Sequence, residues 1–378
     1  MLKPFDKPVF VAKPILPDLT NLGSDIQAIC ESGWLTNHGA YHNKLETKLA
    51  EVLGVSNVSV VNNGTIGLLI ALRALEVREG EVITTPFTFP ATPHAISWNG
   101  LTPVFCDITP DTYCIDPKKI ESQITSKTKA IMGVHVFGYP CEVEAIQAIA
   151  DAYGLKVIYD AAHAFKTTIN ENPISQYGDI SVFSFHATKL YHSIEGGCLS
   201  YSDGDLERTI YLLRNFGIKD EETVVDVGIN GKLNEIQAAV GLLLLDKVEE
   251  ERNLRAKVYQ KYSNSLSKLS GVVLPDMGGD FSNSYQYYPV RIIEGEAGVS
   301  RDYVYEKLKS YNVMARKYFY PLCSEYSPYK NLPSSAISNL PVANMIKNEI
   351  LCLPFYGELN SEKAEMIGEI INKIVERA

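Results

Sequence analysis

The sequence contains no C-x-x-C pair, and its 7 cysteines, at positions 30, 106, 114, 141, 198, 323 and 352, are scattered and odd in number. That spacing argues against a disulfide framework and against a cysteine-based zinc cage, and it points to a reducing cytoplasm. Positive charge is in deficit: 35 Lys and Arg stand against 45 Asp and Glu, a net charge of -10. A non-specific nucleic-acid binder wants a basic face, so that class is disfavoured. An anionic small molecule stays open, because a local pocket can oppose the global sign. No apolar stretch is long enough to span a bilayer, and the longest clean run, "AAVGLLLL" (238–245), reads as a buried helix. The opening "MLKPFDKPVFVAKPILPDL" is charged and proline-broken, without an apolar segment of signal-peptide type.

What is present is strand–helix alternation over a length of 378 residues, enough for a large core and a second, smaller domain. Apolar β-branched runs recur at "EVITTP" (81–86), "TPVFCDI" (102–108), "KAIMGVHVFG" (129–138), "KVIYDAA" (156–162) and "ISVFSFHA" (180–187). Between them lies "EVEAIQAIADAYG" (142–154), with Val143, Ile146, Ile149 and Ala150 at helical spacing and Gly154 placed as a C-terminal cap. This pattern predicts an α/β fold with a mostly parallel sheet, whose ligands gather at the C-terminal ends of the strands. The charged segment 245–269 reads as a long helix leading out of that layer, and a smaller α/β domain is expected from about residue 250.

Two of these strand ends carry chemistry. Asp160 closes "KVIYD", and Lys189 follows the next strand in "SFHATKLYHSIEGG" (184–197). Taken singly, one is an ordinary capping aspartate and the other a surface lysine. Taken together on one sheet edge, an amine and a carboxylate are the minimum equipment for pyridoxal phosphate (PLP): the amine bonds the cofactor and the carboxylate pairs with its cationic ring nitrogen. Asn63-Gly64-Thr65, before an apolar helical run, suits a phosphate, since backbone N–H groups at a helix start favour an anion. Ser184 offers a further hydroxyl. Phe87 and Phe89 are alternatives for stacking on the ring or for core packing, and His163 either contacts the ring hydroxyl or is an ordinary buried histidine.

The motifs "NNGT", "TPFTFPATPHAI", "YDAAHAF", "FSFHATK…EGG", "LLRNFG" and "INGKLNEIQAA" occur in an order that resembles the DegT/StrS family of PLP-dependent nucleotide-sugar aminotransferases, of fold type I. The resemblance runs from "GWLTNHG" (33–39) to "LCLPFYGELNSE" (351–362). It implies a large PLP-binding domain over 1–250, including the N-terminal segment, with a mostly parallel mixed sheet between helices, and a small C-terminal α/β domain over 251–378. It implies Lys189 as the Schiff-base lysine and proton carrier, Asp160 as the partner of the ring nitrogen and His163 at the ring hydroxyl. Phe89 is then the stacking aromatic, and Gly64, Thr65 and Ser184 form the phosphate cradle. Asn230 matches a residue that reaches the phosphate from the neighbouring subunit, which implies a homodimer. Three positions depart from the pattern. Lys166 stands where glycine is frequent and adds a charge near the site. Cys323 stands where a histidine meets substrate. "INGKLNE" departs from the usual "NYRMTD".

The activity so implied moves an amine from L-glutamate, leaving 2-oxoglutarate, onto a nucleotide-linked keto-sugar. The flanking motifs look most like members acting on dTDP-4-keto-6-deoxyglucose, which yield a 4-amino-4,6-dideoxy sugar for a surface glycan such as O-antigen. Thr36, Asn37, His186, Arg316 and Tyr320 are the candidate sugar contacts, and Arg316 or Lys317 suits a diphosphate. Amination at carbon 3 and a non-catalytic PLP- or sugar-binding regulator are the alternatives. Relatives that dehydrate the sugar carry histidine in place of the lysine. A metal site on His186 and His192 is disfavoured, because a spacing of six does not share a helical face.

Overall fold

The computed structural model describes residues 3–276 and 279–376. A short strand β1 (Val9–Phe10) precedes helices α1 (Leu19–Ser32) and α2 (Ala40–Leu53). Strand β2 (Asn57–Val61), α3 (Gly64–Ala74), β3 (Glu81–Thr84), α4 (Ala91–Trp98), β4 (Thr102–Phe105), β5 (Thr128–Val134) and β6 (Lys156–Asp160) follow. A small hairpin, β7 (Thr168–Ile169) and β8 (Asn172–Pro173), leads to β9 (Ile180–Ser184) and β10 (Gly197–Tyr201). The central sheet has the order β2-β10-β9-β6-β5-β3-β4. All its neighbours are parallel except β10, which runs antiparallel to both β2 and β9.

Both faces of this sheet are covered, which is why its strands read as unbroken apolar runs rather than as alternation. Ile83, Ile131 and Val157 point into one core with Leu45, Leu49 and Leu53 of α2. Their chain neighbours Val82, Ala130 and Ile158 point into another with Leu68, Ile70 and Leu72 of α3. Spacing of three and four residues puts His42, Leu45, Leu49 and Leu53 on one buried stripe of α2, each leucine contributing roughly 2 kcal/mol of burial. Gly154 ends the helix Val143–Tyr153 in the left-handed region at φ 65°, as its placement predicts.

The run "AAVGLLLL" lies in the buried helix Glu235–Leu245, and the charged segment after it forms the helix Val248–Leu266. A further core gathers Val258, Tyr262, Tyr288, Val304, Leu308, Ile367 and Ile371. It covers an antiparallel sheet of Val272–Val273, Tyr288–Ile292 and Ile350–Leu353. β1 pairs in parallel with Val313–Met314, so the N-terminal segment reaches this part of the chain. Among the described residues no helix is long and apolar enough to cross a membrane.

Candidate active site

The C-terminal ends of β2, β3, β5, β6 and β9 open onto one cavity of about 600 Å³. Its wall brings together Gly64, Thr65, Phe89, Asp160, His163, Ser184, His186 and Lys189. Parallel pairing of β6 with β9, Asp160 opposite Val182, carries the carboxylate and the lysine loop to the same edge.

Asp160 is buried and held at both oxygens. Oδ2 accepts from the Thr92 hydroxyl at 2.7 Å, and Oδ1 accepts from the Ala162 N–H at 3.1 Å. Thr88 lies 2.9 Å from Thr92, so with Thr92 donating to the carboxylate, Thr88 donates to Thr92. Burial pushes the Asp160 carboxyl above its usual range, and Thr92, Ala162 and the Lys189 charge only partly offset this. Lys189 answers in kind. Burial lowers its amine to about 8, against the opposing pull of Asp160. Such an amine is about half neutral at pH 8, far more than an ordinary lysine, and its neutral form carries a free lone pair. His163 is held well below its ordinary range, by burial first and then by the Lys189 charge. Its Nδ1 accepts the Phe137 N–H at 3.3 Å, which leaves the proton of the neutral ring on Nε2.

At the other end of the cavity α3 begins. Asn63 caps it, its side chain accepting the Ile66 N–H at 2.9 Å. The N–H groups of Gly64 and Thr65 stand in the first turn, where no intrahelical carbonyl reaches them. Gly197 opens β10 directly behind this turn. A Cβ there would lie 2.8 Å from the Gly64 nitrogen and 2.7 Å from the Phe183 carbonyl oxygen, so only glycine lets β10 pass so close. The pair Phe87 and Phe89 divides: Phe87 is fully buried, while Phe89 is 57% exposed on the cavity wall.

Not every candidate lies in this cavity. Arg316 and Tyr320 line an adjoining cleft of about 350 Å³ that shares Phe89, Tyr318 and Phe319 with it. The Arg316 guanidinium sits 5.4 Å from the Tyr318 ring centre, and Lys317 is engaged by Asp302 at 2.8 Å. Thr36, Asn37 and Asn230 are exposed and outside the chain's own cavity. The Asn37 carbonyl accepts from the Trp34 indole at 3.2 Å, and the Asn230 carbonyl accepts from the Asn62 amide at 3.2 Å. Lys166 is directed to Glu249, 3.6 Å away, rather than to the cavity wall, so the charge expected beside the site is drawn off by an ion pair. Cys323 is buried, its thiol donating to the Thr88 carbonyl at 3.1 Å, and is not on the wall either.

Several wall residues escaped sequence reasoning: Thr88, Glu195, Tyr287, Tyr318 and Phe319, with Thr92 directly behind Asp160. Glu195, read from the sequence as part of a turn, lies on the wall with its carboxylate 3.7 Å from His186 Nε2. Tyr287, Tyr318 and Phe319 sit in apolar runs that look like core, and nothing local sets them apart. Thr92 had one weak signal, its place in the first turn of the helix that follows β3.

The profile of the DegT/DnrJ/EryC1/StrS aminotransferase family matches residues 20–372. The dTDP-4-amino-4,6-dideoxy-D-glucose transaminase of Escherichia coli is 45% identical over 97% of this chain and 98% of its own. The protein of the same name from Shigella dysenteriae is 41% identical over 98% and 100%. Among solved structures, DesI in the presence of its TDP-sugar product superposes with a TM-score of 0.94 at 35% identity, covering 99% of this chain and 95% of DesI. Helicobacter pylori PseC, an aminotransferase of pseudoaminic acid biosynthesis, superposes at 0.90 with 28% identity, covering 98% and 100%. With residues 20–372 matched and the lysine, aspartate and helix-start triad meeting in one cavity, this chain belongs to the DegT/DnrJ/EryC1/StrS aminotransferase family.

Proposed function

We propose that the protein is a PLP-dependent transaminase that moves the amino group of L-glutamate to dTDP-4-keto-6-deoxyglucose, giving dTDP-4-amino-4,6-dideoxyglucose. The observation that carries this is 45% identity over 97% of the chain to a transaminase of that product, joined to a cavity holding Lys189 and Asp160 on neighbouring strand ends.

The donor set fits the cofactor. The free N–H groups of the α3 turn and the hydroxyls of Thr65 and Ser184 suit a phosphate. The open face of Phe89 suits a flat ring, the Nε2–H of His163 suits a ring oxygen, and the buried Asp160 suits a cationic ring nitrogen, whose charge would hold its carboxyl ionised. When bound, PLP supplies an electron-accepting ring to the amine it carries. The chain's own residues do the rest. Lys189, whose amine burial lowers to about 8, would hold the cofactor and, once released, take a proton at Nζ from the amine-bearing carbon of glutamate in the first half-reaction and deliver one to the sugar carbon that receives the amine in the second. Thr92 and the Ala162 N–H fix the direction of the Asp160 carboxylate. Arg316 and the aromatic cleft beside Phe89 receive the nucleotide diphosphate.

In this reading the enzyme is a homodimer, and Asn230 serves the neighbouring subunit's phosphate site. Support comes from its exposure outside its own cavity and from exposed apolar residues nearby in the chain, Val225, Val227 and Ile229. The test is a coupled assay with glutamate and a panel of dTDP-, UDP- and GDP-linked 4-keto and 3-keto sugars. Turnover of the dTDP-4-keto sugar is expected to dominate, and product from a UDP- or GDP-sugar alone would overturn the substrate assignment.

A further inference from the structure

Lys189 sits in the loop 185–196 between β9 and β10, and its N–H closes a single turn onto the His186 carbonyl at 2.8 Å. That turn alone leaves the root of a long, many-rotamer side chain weakly held. A second element holds it. Gln286, 2% exposed, presents its side-chain amide to the backbone on both sides of Lys189. Oε1 accepts the Leu190 N–H at 2.6 Å, and Nε2 donates to the Thr188 carbonyl at 2.9 Å. One planar group thus engages two peptide units that flank the lysine Cα, much as a neighbouring strand would.

Gln286 is itself fixed from the far part of the chain. Its N–H donates to the Ser284 hydroxyl at 3.2 Å, and its carbonyl accepts from Arg255 Nη1 at 3.4 Å. Arg255 is buried and paired with Glu251 at 2.6 Å. Ser284 also donates to the His163 carbonyl at 2.6 Å, and the Asn283 amide donates to the Phe137 carbonyl at 3.4 Å. Tyr287, the next residue, stands on the cavity wall. The segment 283–287 therefore braces the loops of Lys189 and His163 together.

We infer that Gln286 is a positioning residue for the Lys189 amine: it fixes the backbone that aims Nζ and has no contact with substrate of its own. The inference rests on Lys189 being the reacting lysine. A displacement of the reacting atom on the order of 1 Å costs roughly 10²-fold in rate, and removal of both hydrogen bonds at the root of Lys189 permits such a displacement.

The test uses the full-length protein with Q286L, Q286E and, as a control, K189A. Q286L is expected to lower kcat by about 10²-fold with KM for glutamate and sugar within about threefold. In the cofactor-free protein its Leu190 amide is expected to exchange with solvent at least about tenfold faster than in the parent, since the N–H has lost its acceptor. A folded Q286L protein with kcat within twofold of the parent, or with a loss confined to KM, overturns the inference. If Q286L does not fold, Q286E decides. It keeps the acceptor for Leu190 and loses the donor to Thr188, so a kcat about tenfold lower supports the inference and an unchanged kcat overturns it. If K189A still binds the cofactor covalently, the reading of Lys189 itself fails. If K189A is inert while both Gln286 variants match the parent, only the positioning role fails.

Discussion

Glu46 and Asp160 are both carboxylates turned inward, yet the protein holds one ionised and pushes the other toward neutrality. Burial raises both. At Glu46 the Arg214 guanidinium, 2.5 Å away, and His42, 3.3 Å away, outweigh it and hold the carboxyl down to about 2. The Val60 N–H adds a hydrogen bond at 2.8 Å. At Asp160 the partners are a hydroxyl and one backbone N–H, with the Lys189 charge beyond them, and burial prevails. His38, in the first cluster, is driven to about 4 by burial and then by Arg214, and Lys189, in the second, is lowered by a similar amount, to about 8, by burial alone against the pull of Asp160. The first cluster is closed: its anion and cation neutralise each other and lock α2 to the sheet. The second is left short of a full counter-charge, which keeps its amine and its acid available to a ligand.

Four substitutions break or sharpen this contrast. The largest effect belongs to Lys189→Ala, which is expected to lower turnover by at least about 10⁴-fold and to abolish covalent capture of the cofactor, read from the absorbance of the purified protein. Asp160→Asn comes next, with a loss of about 10²–10³ in kcat measured under saturating substrates, because the proposed function needs a carboxylate there to pair with the ring nitrogen. Glu46→Gln probes the closed cluster instead. It strands Arg214, which is 4% exposed, and is expected to cost about 3 kcal/mol in urea unfolding while leaving kcat per folded molecule unchanged. Its pH dependence has a definite sign. The folded carboxyl titrates near 2, below the ordinary 4.5, so its stabilisation is complete above about 4.5 and fades as pH falls toward 2. The parent and Glu46→Gln should therefore converge in stability over that window. The smallest effect is Thr92→Val. Losing one hydrogen bond to Asp160 raises that carboxyl further, which should lower kcat about tenfold and move the acid limb of the pH–rate profile upward.

The contrast also explains what could be read in advance. Strands β3 to β6 and β9 are legible because both their faces are buried and the apolar runs are unbroken. Lys189, Asp160, His163, Gly64, Thr65 and Ser184 stand in motifs next to strand ends, and the structure brings them into one cavity. β2 is harder to read, since "NVSVV" is short and broken by Ser59, whose hydroxyl is buried 2.9 Å from that of Tyr201. Tyr287, Tyr318 and Gln286 are not legible, and Thr92 only weakly so, because what marks them is a partner far away in the chain. Gln286 meets Thr188 and Leu190 only after β9 and the strand Tyr288–Ile292 have been folded into place. Glu46 and Arg214 were invisible for the same reason: neither residue's sequence surroundings announce the other.

The single antiparallel strand of the central sheet has a mechanical meaning. Ser184 and Gly197 face each other across the β9–β10 ladder, so the segment that carries Lys189 is a tether with both anchors on one rung, about 5 Å apart. The amine can swing only as far as that tether's slack permits. An inserted residue would lengthen the slack without moving either anchor, and the lysine's reach would change while the sheet, the aspartate and the first turn of α3 stayed where they are.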